Sequence, residues 1–163
     1  MDLTLDVEDY KLNIRAAGLI IHNNKVLTHH NLKENHCCLP GGRIHIGESS
    51  NKTLKREIME ELGKEVEILG YAATIENFFE MKNKKYHELF FLYNVEFVNA
   101  EDKKIEYTLH NKEGKDYLQY DWVDIDKIDN YNLLPMCLKE VVKSKKFPVH
   151  IINDDFTNKI EVI

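Results

Sequence analysis

Gly42-Arg43-Ile44-His45-Ile46-Gly47-Glu48, followed after seven residues by Arg56-Glu57-Ile58-Met59-Glu60-Glu61-Leu62-Gly63, is the stretch from which the fold can be read. Ser49 or Ser50 is placed to cap a helix and Gly63 to end it. A serine hydroxyl accepts from the unpaired first-turn amides, and glycine takes the left-handed conformation of a helix end. Leu54, Ile58 and Leu62 recur every fourth residue, the stripe by which a helix faces a core. Glu57, Glu60 and Glu61 stand at i, i+3 and i+4, side by side on a face flanking that stripe. The segment therefore reads as loop, helix and stop.

Exposed like charges at this spacing cost a helix only about 0.2–0.5 kcal/mol. Two carboxylates held about 4 Å apart near a protein surface repel by about 4 kcal/mol, and a bound cation relieves that. Oxygen donors without thiolate or imidazole at ligand spacing favour Mg²⁺ or Mn²⁺ over Zn²⁺. Such an ion binds diphosphate oxygens, stabilises the leaving group and lowers the pKa of an attacking water. The competing reading is a solvated helix face on which Glu60 pairs with Arg56 or Lys64, each four residues away. Leu39-Pro40-Gly41-Gly42 precedes the loop. Proline restricts one φ angle, while the glycines permit positive φ and close approach of a phosphate or ion to the backbone.

The pattern G-x5-E-x7-R-E-U-x-E-E-x-G-U, with U aliphatic, is the Nudix box, and this chain resembles it at every fixed letter, with Lys64 in place of the last aliphatic residue. Seven fixed positions at roughly 6% usage each coincide by chance below about 10⁻⁸ of the time at one starting point, so coincidence is negligible. The resemblance runs from about Ile14 to Lys145. It implies an α/β (α+β) architecture, the Nudix α/β/α sandwich around a mixed β-sheet. It implies metal ligation by Glu57, Glu60 and Glu61 with a Gly41 carbonyl, Glu57 also serving as base. Arg56 would orient a catalytic glutamate, and Glu48 would support the box geometry.

At 163 residues and 43% hydrophobic, residues 1–163 are read as one domain, with uncertain extensions at both ends. A net charge of −6 disfavours a nucleic-acid polymer as partner. Cys37, Cys38 and Cys137 form no secreted disulfide framework and fit a reducing cytoplasm. No apolar run approaches a membrane span and the acidic start lacks a signal core, so no membrane partner is expected. The expected partner is a small nucleoside diphosphate derivative; a homodimer is left open.

Ile14 to Ile21 and Lys25 to His29 read as strands joined by a turn at His22-Asn23-Asn24. Glu65 to Glu80 reads as a bent strand pair or one long strand, Lys82 to Lys85 as a turn, and His87 to Val98 and Tyr117 to Val123 as strands. Asn99 to Gly114 reads as a loop or short hairpin extension. Leu134, Cys137, Leu138, Val141 and Val142 have helical spacing, with Pro135 in the first turn. Phe147 to Ile152 is expected as a final edge strand.

Outside the box, Glu88 enters the apolar strand Leu89-Phe90-Phe91-Leu92. It is a candidate to place or deprotonate the attacking water, because an unpaired buried carboxylate is costly unless it emerges at a strand end or faces a polar cavity. Arg43 and Arg15 are candidate phosphate contacts, and Phe79 offers aromatic surface for a base. Trp122, Cys37 and Cys38 read as packing residues. The reaction expected is hydrolysis of a diphosphate bond in a nucleotide sugar such as ADP-ribose, a dinucleotide or an oxidised nucleoside triphosphate. The alternative is a non-catalytic ligand sensor; the isopentenyl diphosphate isomerase branch places a cysteine where this chain has Gly41-Gly42.

Overall fold

The structure is a computed structural model describing residues 1–104 and 108–163. In chain order the elements are β1 (Thr4–Val7), β2 (Tyr10–His22), β3 (Lys25–Asn31), β4 (His36–Cys38), β5 (Gly41–Arg43), α1 (Ser50–Leu62), β6 (Val66–Met81) and β7 (Lys84–Phe97). A 3₁₀ turn (Ala100–Lys103), β8 (Leu109–His110), β9 (Leu118–Asp124), a second 3₁₀ turn (Ile125–Asn130), α2 (Leu138–Ser144), β10 (Val149–Asp154) and β11 (Lys159–Val162) follow. Among the described residues the strands run β11-β10-β6-β7-β2-β3-β9-β8, with β1 and β5 on β2 and β4 on β3. The sheet is mixed: β2 runs parallel to β7 and β10 parallel to β6, whereas β6 and β7 are antiparallel.

Hairpins form where the turn residues accept positive φ. Asn23 and Asn24 turn β2 into β3, and Lys82 and Asn83 turn β6 into β7. Helix α1 starts after Ser49, but neither serine hydroxyl caps it: Ser49 Oγ donates to Asn51 Oδ1 and Ser50 Oγ bonds the Tyr93 hydroxyl, both at 2.6 Å; it stops at Gly63, whose φ is 64° and whose amide donates to the Met59 carbonyl at 2.8 Å. Leu54, Ile58 and Leu62 pack from α1 onto Ala16, Ile20, Leu27 and Tyr120. On the other side of the sheet Leu138, Val141 and Val142 of α2 meet Ala17, Ala73, Leu92 and Ile151. The layers are helix, mixed sheet, helix, as the sequence predicts.

Two expectations are revised and two open readings are resolved. Glu65 to Glu80 forms a single strand, irregular between Ile68 and Ala73. Helix α2 begins at Leu138, not Leu134, because the preceding backbone pairs with β4: the Cys37 amide donates to the Asn132 carbonyl and the Leu134 amide to the Cys37 carbonyl, both at 3.0 Å. Strand β10 is not an edge, since the chain turns back after Asp154 and β11 pairs outside it. Asn99 to Gly114, read as a loop or short hairpin extension, carries a 3₁₀ turn and then β8, which pairs antiparallel with β9; 105–107 lie outside the described residues. Lys64, the one departure from the box, pairs with Asp102 of the 3₁₀ turn at 2.5 Å. An ion pair stands where an aliphatic contact is usual. No helix among the described residues is long and apolar enough to cross a membrane.

Candidate active site

The box assembles around Arg56. Its Nε donates to Glu48 Oε1 at 3.0 Å and its Nη2 to Glu48 Oε2 at 2.9 Å, a bidentate pair that also fixes the loop, since Nη2 donates to the Arg43 carbonyl at 3.2 Å. Arg56 Nη1 donates to Glu57 Oε1 at 2.7 Å and to Glu60 Oε2 at 3.0 Å. Glu48 further accepts from Thr53 Oγ1 at 2.8 Å and from the His45 amide at 3.4 Å. The Arg56 hydrogen bonds, aided by Thr53 and His45 against a smaller opposing effect of burial, bring the Glu48 carboxyl down to about 2. The Glu57 carboxylate lies directly over Gly42, where any Cβ would overlap it. Gly41, at φ 145°, passes so close to Ala16 that it too has no room for a side chain.

Beside this loop a cavity of about 540 Å³ opens, lined by Glu57 and Glu61 of α1, by Gly41, Arg15 and Arg43, and by Glu88 and Phe79. Arg15 is central in it. Burial alone would lower the proton affinity of its guanidinium, but Glu88, Cys38, Glu61 and Glu57 surround it and raise that affinity on balance. Its Nη2 donates to the Gly41 carbonyl at 3.5 Å and its guanidinium lies 6.0 Å from the centre of the Phe90 ring. Glu88 sits inside β7, not at the strand end, held by Asn13 Nδ2 at 2.7 Å and Asn77 Nδ2 at 3.3 Å. Phe79 stacks on Tyr86 at 4.7 Å with the rings 9° from parallel. Arg43 donates to Asp2 at 3.1 Å, so the chain start folds over the loop.

Does this set fit a divalent ion? The donors are hard oxygens, and Glu61 Oε2 is buried without a hydrogen-bond partner. Such an oxygen is costly unless something satisfies it, and a cation would. Burial pushes the Glu61 carboxyl up to about 7, with Glu57 adding to the effect and Tyr120 and Arg15 opposing it. The expected triplet is nevertheless not assembled. Among the described residues no group of three or more His, Cys, Asp or Glu side chains is arranged to hold an ion. Glu57 and Glu61 reach the cavity, whereas Glu60 points away and keeps its bond to Arg56. The reason is geometric: at about 100° per residue Glu61 lies roughly 40° round the helix from Glu57, whereas Glu60 lies roughly 60° round on the other side of it.

Cys38 also departs from expectation. It is half-buried and lines the cavity, while Cys37 is buried in the core beside α2. Burial raises both thiols, that of Cys37 to about 12, so neither is a ready nucleophile. Asn13, Asn77, Tyr86, His29 and Asp155 line the cavity too and escape a sequence reading. Asparagines in strands look like ordinary edge residues. Only alternation, which sets Asn13 on the face of Arg15 and Asn77 on that of Phe79, hints otherwise.

Comparison with known proteins agrees with the fold. The NUDIX domain family model matches residues 12–143, and the chain belongs to that family. No match was found among curated proteins. Among solved structures it is similar to the MutT protein from Bacillus halodurans (TM-score 0.62, 14% identity, covering 92% of this chain and 97% of that one). It is also similar to a NUDIX hydrolase from Nitrosomonas europaea (0.61, 15%, 87% and 77%) and to an ADP-ribose pyrophosphatase from Streptococcus suis (0.56, 14%, 88% and 98%). At these identities the likeness is one of fold. Family membership supports hydrolase activity in general.

Proposed function

We propose that this chain is a divalent-cation-dependent diphosphohydrolase acting, in a reducing cytoplasm, on a small nucleoside diphosphate derivative, with nucleotide sugars of the ADP-ribose kind foremost. The observation that carries the reading is the single cavity in which two box glutamates, Glu57 and Glu61, face Arg15, Arg43 and Glu88. Opposite charges and an aromatic pair in one space suit an ion-bound diphosphate joined to a flat base.

Glu57, Glu61 and the Gly41 carbonyl would hold Mg²⁺ or Mn²⁺, with Glu60 joining if it turns away from Arg56. When bound, the ion supplies charge neutralisation on the diphosphate and an acidified water. Arg56, anchored by Glu48, keeps Glu57 at the cavity. Arg15 and Arg43 bind phosphate oxygens, Arg43 by leaving Asp2. Glu88 accepts from two amides and keeps its remaining lone pairs for a water, which it orients or deprotonates; Glu57 is the second candidate base. Phe79, backed by Tyr86, offers a face for the base.

The test is a screen of ADP-ribose, a dinucleoside polyphosphate and an oxidised nucleoside triphosphate with Mg²⁺ and Mn²⁺, with products identified by mass spectrometry. Cation-dependent cleavage between phosphorus atoms, abolished by EDTA, is expected. Full activity in excess EDTA overturns the cation's role. Binding without turnover of any member would instead identify a ligand sensor.

A further inference from the structure

Across four neighbouring strands, side chains of one sheet face form rungs. One rung is apolar: Ala17, Leu92, Ala73 and Val149 stand opposite one another on β2, β7, β6 and β10. The next is Arg15, Phe90, Ile75 and Ile151. The third is wholly polar, namely Asn13, Glu88, Asn77 and Asn153. These four are only 4%, 4%, 4% and 1% exposed. The rung is hydrogen-bonded from end to end. Asn153 Nδ2 donates to Asn77 Oδ1 at 2.8 Å and to Asp155 Oδ1 at 3.0 Å; Asn77 Nδ2 and Asn13 Nδ2 both donate to Glu88.

The direction of this chain follows from its donors and acceptors. A carboxylate accepts only, so Asn77 must turn its amide nitrogen to Glu88, and its carbonyl must then point at β10. Asn153 supplies the donor that makes this orientation the favourable one. Aliphatic residues at the four positions would continue the rungs below without desolvating a carboxylate. The polar rung starts where the core gives way to the cavity: Asn13, Asn77, Glu88 and Asp155 all line it. Asn153 and Asp155 lie beyond residue 143, where the family match ends.

We propose that Asn153 is a positioning residue for Glu88, acting through Asn77, and that β10 is thereby a working part of the active site. The inference rests on the proposed role of Glu88 in the reaction. Asn153 touches neither substrate nor the reacting atoms. It sets the polarity of a bond chain whose last member is the carboxylate.

Asn153→Leu tests this, because an aliphatic side chain of similar size cannot donate, and Asn77 loses the partner that holds its carbonyl toward β10 and its amide nitrogen toward Glu88. With the fastest-cleaved compound of the screen and saturating Mg²⁺, Asn153→Leu is expected to lower kcat by about tenfold to a hundredfold, with KM changed less than about twofold. Asn153→Ala, which removes the same donor with a smaller side chain, lowers kcat in the same sense and serves if the leucine variant fails to fold. In a Glu88→Gln background, itself down by about a hundredfold, either change at Asn153 adds nothing further. Thr157→Ala, which removes the bond to Asp154 in the β10–β11 turn and leaves the rung intact, retains full activity. A full multiplicative loss on top of Glu88→Gln overturns the inference, as does unchanged kcat in both Asn153 variants while Glu88→Gln is impaired. An unimpaired Glu88→Gln overturns the role of Glu88 first, and the inference with it.

Discussion

Glu57 and Glu61 share a helix and a cavity but not an environment. Glu57 is half-buried, bonded to Arg56 and laid over Gly42; Glu61 is buried with one oxygen unpartnered. Both carry the proposed chemistry, so Glu57→Gln and Glu61→Gln are each expected to cut turnover by at least about a hundredfold while melting like the parent. Glu65→Gln, exposed and outside the box pattern, is the matched control. Equal damage from it would assign the loss to charge in general. His29 makes a separate prediction. Burial, then Arg15 and neighbouring cations, lowers its pKa from the ordinary 6.5 to about 3. The folded state therefore keeps it neutral while the unfolded chain takes a proton near 6.5, and stability falls as pH drops through 6.5 toward 3. Between pH 7 and 5 the loss from this group is about 2 kcal/mol. Urea unfolding of the parent and of His29→Asn at both values checks it, the variant showing the smaller fall.

At the scale of elements, α1 is specified twice over, by its apolar stripe and by its stop. Gly63 holds φ 64°, and a Cβ there would run into the Lys112 side chain. Gly63→Ala is expected to cost about 1–2 kcal/mol in urea unfolding, with the box geometry retained because Arg56 lies two turns earlier. An unchanged midpoint would show that the helix end relaxes freely. These features were legible because a helix writes its period and stop into one continuous stretch. The onset of α2 was not. Leu134 has the right spacing for its stripe, yet the strand pairing of Cys37 with Asn132 and Leu134 claims that backbone first. A long-range bond outcompetes a local pattern, and periodicity alone cannot announce it.

For the whole molecule, an ion that binds only the folded state must stabilise it. At a hundredfold excess over Kd the gain is about 2.7 kcal/mol, which for a chain of this size raises Tm by about 5–10 °C. Mg²⁺ is expected to give such a rise in the parent and not in the Glu57→Gln, Glu61→Gln double variant, measured by calorimetry without substrate. The same rise in both would place the ion elsewhere.

The residues of the box, their helix and the mixed α/β class were determined by sequence alone, because spacings of three, four and seven residues are local and translate directly into one helix face and one loop. Glu88, Arg15, Arg43 and Phe79 were nameable as candidates by residue type, but nothing in their spacing says that they meet. Only the tertiary structure decided that they share a cavity with Glu57 and Glu61, that Glu60 stays outside it on Arg56, and that Asn13 and Asn77 bond Glu88 while Asn153 bonds Asn77. Asn13 and Glu88 lie 75 residues apart, and Asn77 and Asn153 lie 76 apart. Their meeting depends on strand order and register, which are set by the packing of the sheet as a whole and leave no mark in any short stretch of chain.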